Sequence, residues 1–342
     1  MILTTSGYFA TGSSAAFNLL KEYKCNTAGE LDSHDYENVV FYTPDGLFDL
    51  EDKLLVGNSI HRSDEAIKKF LARMKVLNDN DFVWMGGYRK RFGGQFQKVY
   101  ETFAESLIDF KLDGHWQGHY EGFCYTPRRV LGSIKNKVLG KEDFYDFGKT
   151  VVYNSAPTLL YSYPKPEEYY ERAKIFVKEY CEMILGDEKK NLVMNHAILP
   201  HHLWRIPNYF SEEFRTIVVE RDPRDVYILV RYKEPNGQRI PTEVGDFVKF
   251  WRKLRENEKW CDDRRIVRVK LEDMIYRYDE TIAFIEKRCG LVSKDHKDAQ
   301  SMFNAEYSKR YTRTFEESDI WKDEIKFIEE QLPEYIYDYS EI

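Results

Sequence analysis

The sequence predicts an α/β fold in which a parallel sheet is flanked by helices on both faces, and three observations predict it. Short apolar or β-branched runs alternate with segments of helical spacing along the chain, the rhythm of βαβ units. The chain opens on Leu3-Thr-Thr-Ser-Gly-Tyr-Phe-Ala-Thr-Gly-Ser-Ser-Ala-Ala-Phe-Asn-Leu-Leu20, which reads as strand, glycine-bearing loop and helix. A later β-branched run, Arg215–Glu220, ends in Arg221-Asp-Pro-Arg-Asp225, where Asp222 can cap a helix whose first residue, Pro223, needs no N–H partner.

The remaining elements follow in order. Asn38-Val-Val-Phe-Tyr42 predicts a second strand, closed by the turn Pro44-Asp-Gly46. Ser63–Leu77 predicts a helix, with Ser63 and Asp64 as cap candidates and Ile67, Phe70, Leu71 and Met74 at helical spacing. Residues 81–149 contain helical pieces at Gln95–Phe110 and Pro127–Val138, basic groups at Arg89-Lys-Arg91 and Arg128-Arg129, and many glycines and aromatics. This stretch is expected as a substrate-side insertion covering one end of the sheet. Strands are then expected at Thr150–Tyr153, Asn191–Asn195, Arg215–Glu220 and Arg265–Val269. Helices are expected at Pro166–Leu185, from Pro223, at Val244–Cys261, at Glu272–Cys289 and at about Asp323–Leu332. No internal repeat or low-complexity linker divides the chain, so residues 1–342 are expected to form a single domain.

Composition narrows the class. At 342 residues with 42% hydrophobic and 32% charged residues, no apolar run approaches the roughly 18 residues of a membrane span. With Met1 immediately ahead of the first strand, no signal peptide is expected, and the location expected is cytoplasmic. Cys25, Cys124, Cys181, Cys261 and Cys289 are odd in number and include no C-x-x-C pair, which suggests reduced thiols rather than disulfides or a zinc site. A net charge of −7 argues against nucleic acid as partner. His201-His202 and His115/His119 lack further ligands at metal-binding spacing, so no metal is expected. Aromatics make up 15% of the chain, and their flat faces suit sugar rings and bases.

Gly7, Gly12 and Ser13-Ser14 reproduce the spacing of the phosphate-binding P-loop, with Ser13 where nucleoside triphosphatases carry lysine. A strand-to-helix loop still directs backbone N–H groups and the positive helix end at an anion. What it lacks is the lysine that grips β and γ phosphates in phosphoryl transfer, so a degenerate phosphotransferase is the weaker reading and ATP turnover is expected to be absent. Arg221 follows a strand at the edge where open parallel sheets bind ligands, and its fixed guanidinium suits a phosphate. Arg224 is expected to pair with Asp225 or another carboxylate.

These two segments together resemble the sulfotransferases that use 3′-phosphoadenosine 5′-phosphosulfate (PAPS), with bacterial glycan- or capsule-modifying members the nearest in character. In that family a loop written PKSGTTW wraps the 5′-phosphosulfate, and Phe9-Ala-Thr-Gly-Ser-Ser-Ala15 stands in its place. Arg221-Asp-Pro-Arg-Asp225 is similar to the family segment whose arginine holds the 3′-phosphate. Val269-Lys-Leu-Glu-Asp-Met-Ile275 and Asp319-Ile-Trp-Lys322 are similar to two further family segments, in the family's order. The resemblance implies a P-loop-like sulfotransferase fold, PAPS as sulfuryl donor and its 3′,5′-bisphosphate as product. It implies donor contacts from Thr11, Gly12, Ser13, Ser14, Ala15 and Arg221, and transfer to a hydroxyl of a small molecule or oligosaccharide. Two positions depart from the family: Ala10 replaces a basic residue, and Leu229 replaces a serine that is a second 3′-phosphate ligand. Lys309, Arg310 and Arg313 lie where relatives carry a basic covering loop and are candidates to supply the missing charge. The resemblance implies His196, ahead of Leu199-Pro200, as the base that deprotonates the acceptor, with Asp45, Asp49, Glu51 and His61 as the competing set. The remaining alternative is a nucleotide- or glycan-binding protein of the same fold without catalysis.

Overall fold

The computed structural model describes residues 1–32, 36–81, 85–113, 158–233 and 240–341, with short pieces at 134, 137–138, 144–146 and 150–152. In chain order the strands among the described residues are β1 (Ile2–Gly7), β2 (Asn26–Thr27), β3 (Phe110–Asp113), β4 (Phe144–Asp146), β5 (Thr150–Val152), β6 (Thr158–Tyr161), β7 (Asn191–Asn195), β8 (Phe214–Glu220) and β9 (Ile266–Lys270). Five of them make one parallel sheet in the order β2-β7-β1-β8-β9, as the α/β reading requires. β1 is central, with Thr5 opposite Asn195 of β7 and Gly7 opposite Val219 of β8. From β1 the chain crosses to β2 at one edge, returns to β7 beside β1, and then passes to β8 and β9 on the other side. The crevice at the carboxyl ends of β1, β7 and β8 is therefore the topological switch point, where such sheets take ligands.

Side chains alternate across the sheet and bury both faces. Leu192, Met194, Phe214 and Val218 join one core with the helices Ile60–Asp79, Gln95–Leu107 and Pro166–Leu185. Leu3, Val193, Ile217, Val219, Val267 and Val269 face the other core, with helix α1 (Ser13–Lys21) and the helices Leu271–Tyr276 and Tyr278–Cys289. A third cluster joins Pro223–Ile228, Val244–Glu256 and the closing helix Lys322–Gln331.

Several sequence expectations are corrected here. Asn38–Tyr42 is not a strand: Val39, Val40 and Phe41 are buried in a turn-rich segment, and the second parallel strand is the two-residue Asn26–Thr27. Burial without a ladder partner imitates a strand's composition. Thr150–Val152 pairs antiparallel with Phe144–Asp146, outside the parallel sheet. The helix expected from Ser63 begins three residues earlier, with Ser59 accepting from the Arg62 N–H as its cap. Glu272–Cys289 breaks into two helices at Arg277. Of the insertion expected over 81–149, the helices Tyr88–Phe92 and Gln95–Leu107 pack into the first core through Tyr88, Phe96, Phe103 and Leu107. Most of Pro127–Val138, together with Arg128, Arg129, His115 and His119, lies outside the described residues.

Candidate functional site

Three neighbouring strands each end in a segment singled out from the sequence. The loop after β1, His196 after β7 and Arg221 after β8 meet around one cavity of about 880 Å3. Gly7, Gly12, Ser13, Ser14 and Ala15 line it, as do His196, Arg221 and Leu229.

The loop is folded by its own small residues. Thr11 is fully buried, and its Oγ1 and N–H both donate to the Tyr8 carbonyl, at 2.9 and 3.3 Å. Thr11 thus shapes the loop and does not line the cavity. A Cβ on Gly7 would meet Thr11 Oγ1 at 2.5 Å, so the turn requires glycine there. Gly12 ends the loop at φ +98°, a conformation glycine adopts without strain, and α1 begins at Ser13. As the first residues of a helix, Ser13 and Ser14 carry amides with no intrahelical acceptor, and none is found among the described residues. These donors and the helix dipole face the cavity, an arrangement that suits an anion.

His196 has φ +50° and is fixed by its N–H donating to the Thr5 carbonyl at 3.0 Å. Its Nε2 is hydrogen-bonded to Ser13 Oγ at 2.8 Å. Its Nδ1 has no hydrogen-bond partner among the described residues and lies 3.8 Å from Glu37 Oε1. Burial pushes the imidazole below its ordinary pKa, with the Glu37 carboxylate acting against that shift. Glu37 itself lines the cavity and accepts from the Tyr42 hydroxyl at 2.8 Å. Sequence reasoning missed it, because reading 38–42 as a strand drew attention to the carboxylates beyond that segment.

Arg221 is 6% exposed and joins two walls of the site: NH1 donates to the Ala10 carbonyl at 2.8 Å and NH2 to the Tyr311 carbonyl at 2.6 Å. Ala10 holds φ +62°, which directs this carbonyl toward the guanidinium. Asp222 caps the following helix by accepting from the Arg224 N–H at 2.8 Å. Its own N–H donates to Glu272 Oε1 at 2.9 Å, and burial pushes the Glu272 carboxyl up to about 7. Arg224 pairs with Asp222 at 2.7 Å and Glu329 at 2.6 Å, so its role is structural, though Asp225 is not its partner. Asp225 instead accepts from the Arg313 and Thr314 amides at 3.0 and 2.7 Å.

The segment 302–311 forms another wall, contributing Met302, Phe303, Asn304, Tyr307, Ser308 and Tyr311 to the lining. The three cations proposed there do not line the cavity. Lys309 pairs with Glu306 at 2.5 Å, Arg313 pairs with Glu316 at 2.8 Å, and Arg310 lies over the rings of Tyr307 and Tyr311. Arg221 is the one Lys or Arg in the lining among the described residues.

The competing acids also lie elsewhere. Asp45 and Asp49 pair with Lys53 at 2.6 and 2.9 Å. Glu51 is buried against Arg205 and accepts from the Tyr209 hydroxyl at 2.7 Å. His61 sits exposed in the first turn of the helix Ile60–Asp79. His201 does line the cavity, with its ring edge-on to Tyr8. No group of three or more His, Cys, Asp or Glu suited to a metal occurs among the described residues. No helix among them is long and apolar enough to cross a membrane.

No family model and no curated protein matches the chain. Among solved structures it is similar to the sulfotransferase STF1 from Mycobacterium tuberculosis H37Rv at 14% identity, with 91% of this chain and 76% of that one covered and a TM-score of 0.30. It is similar to the sulfotransferase STF9 from Mycobacterium avium at 11% identity, with 98% and 77% covered and a TM-score of 0.35. Similarity at this level leaves the functional reading to rest on the site itself.

Proposed function

We propose that the chain is a sulfotransferase that moves the sulfuryl group of PAPS to a hydroxyl, releasing adenosine 3′,5′-bisphosphate. The observation that carries this reading is the convergence of the Gly7–Ala15 loop, His196 and Arg221 on one cavity. In this reading the Ser13 and Ser14 amides and hydroxyls receive the 5′-phosphosulfate. They also stabilise the charge that develops on the leaving phosphate. Arg221, set beside the tyrosines of the 302–311 wall, receives the 3′-phosphate. His196 takes the acceptor's proton, and Glu37 steadies the imidazolium that forms.

We propose a saccharide as acceptor. Tyr8, Phe9 and Tyr42 line the cavity together with Glu37, His196 and His201, and flat rings among hydrogen-bonding side chains suit a sugar. We further assign the enzyme to the cytoplasm, a placement supported by Cys25, Cys181, Cys261 and Cys289 all being free thiols.

A second reading, a binding protein without catalysis, draws on Ala10 and on the lining's lack of any lysine among the described residues. Transfer of radiolabelled sulfuryl from PAPS to a panel of glycans separates the two. Label in a glycan supports the enzyme, and nucleotide binding without transfer to any glycan or to water favours the binding protein.

A further inference from the structure

We propose that Ser13, His196 and Glu37 form a nucleophilic triad, giving the cavity a second activity: hydrolysis of small carboxylic esters through an acyl group carried on Ser13 Oγ. The contact that carries this inference is the 2.8 Å hydrogen bond between Ser13 Oγ and His196 Nε2. The two residues follow the adjacent strands β1 and β7, so the sheet itself sets their separation. His196 is further fixed by its N–H donating to the Thr5 carbonyl.

The tautomer follows from the surroundings. Nδ1 has no hydrogen-bond partner among the described residues, and the nearest anion, Glu37 Oε1, stands 3.8 Å away on that side. A carboxylate there favours the proton on Nδ1, which leaves the Nε2 lone pair to accept from the Ser13 hydroxyl. At 3.8 Å the Glu37 carboxylate stabilises the charged imidazole through space. The serine follows a glycine at a strand-to-helix turn, and the chain order Ser13, Glu37, His196 is the order of nucleophile-elbow hydrolases. The Ser14 amide, on the residue after the nucleophile, is an oxyanion donor reinforced by the N-terminus of α1.

The chemistry closes without a co-reactant beyond water. Ser13 Oγ bonds to the ester carbonyl carbon as its proton passes to His196 Nε2. The carbon–oxygen bond to the alcohol then breaks, and the alcohol leaves with that proton. Water attacks the acyl-serine and gives a proton to Nε2, which returns it to Ser13 Oγ as the carboxylic acid departs. Ester and water become acid and alcohol, with no change in oxidation state. The inference does not depend on the PAPS reading, although both use one cavity.

The test is labelling of the full chain with diisopropyl fluorophosphate, mapped by peptide mass, beside hydrolysis of p-nitrophenyl acetate. The expected result is a single adduct on Ser13. His196→Gln should slow both labelling and hydrolysis by about 100-fold or more, the contribution of a general base. Glu37→Gln should slow both by a smaller factor. An unmodified Ser13 in the wild-type chain, or an adduct only at another residue, overturns the proposal, and this mapping needs no variant to fold. An adduct on Ser13 in a chain that binds no adenosine 3′,5′-bisphosphate sinks the donor reading and leaves the triad standing. Nucleotide binding with Ser13 unlabelled does the reverse.

Discussion

In the proposed reaction the chemistry rests on His196 and Arg221, two side chains whose partners differ sharply. The imidazole accepts a proton only in its neutral form, and burial holds its pKa below the ordinary 6.5. The acid limb of kcat/KM for transfer should therefore lie below pH 6.5, with the rate level from there through neutrality. A limb centred above 6.5 would count against His196 as the base. Arg221 is expected to discriminate the 3′-phosphate. Arg221→Ala should weaken adenosine 3′,5′-bisphosphate by at least about 10-fold, as for loss of a charge-assisted bond, while adenosine 5′-phosphate loses much less. Calorimetric titration of both ligands checks this, and equal losses would remove Arg221 from the 3′ site. Both residues were legible in the sequence, because each ends a strand and is followed by a recognisable turn. Glu37 was not, since its approach to His196 joins residues 159 positions apart through a segment with no regular structure.

At the scale of elements, the site depends on how α1 is tied at both ends. Its first turn lines the cavity, and its C-capping residue, Glu22, is buried. Glu22 accepts from the Gln300, Met302 and Phe303 amides at 3.1, 2.9 and 2.8 Å and bonds His296 Nε2 at 2.8 Å. One helix thus supplies one wall and anchors the start of another, the segment 302–311. Glu22→Ala should cost about 2–3 kcal/mol in denaturant unfolding, the scale for losing bonds to a charged group, and should weaken adenosine 3′,5′-bisphosphate as well. Unchanged stability and affinity would show that the wall stands without this anchor. The helix itself was readable as the end of a strand, glycine-bearing loop and helix, and Pro166–Leu185 and Asn191–Asn195 were placed to the residue. The anchor was not readable, because nothing local marks a carboxylate whose donors come from some 280 residues downstream. The same limit explains the cations at 309–313. Sequence pointed to the segment that forms this wall, but whether a side chain turns inward is decided by Glu306, Glu316 and the tyrosine rings around it.

For the molecule as a whole, the strand order is what makes the separate segments one site. The alternation of strands and helices implied a parallel sheet, yet alternation alone does not say which strands are neighbours. Placing β1 between β7 and β8 brings Gly12, His196 and Arg221 to one edge, although Gly12 lies 184 and 209 positions from the other two in the chain. Among the described residues the cavity they line has hydrogen-bond donors at the start of α1, the Arg221 guanidinium, and the imidazoles of His196, whose pKa burial lowers, and His201. Its limited positive charge means that binding must draw on backbone N–H groups and hydroxyls as much as on ion pairing. We propose that this cavity takes a 3′-phosphorylated adenine nucleotide. Isothermal titration of the full chain with adenosine 3′,5′-bisphosphate tests it most directly. Saturable one-to-one binding at sub-millimolar concentration, clearly tighter than for adenosine 5′-phosphate, is expected, and no binding at that concentration would contradict the proposal.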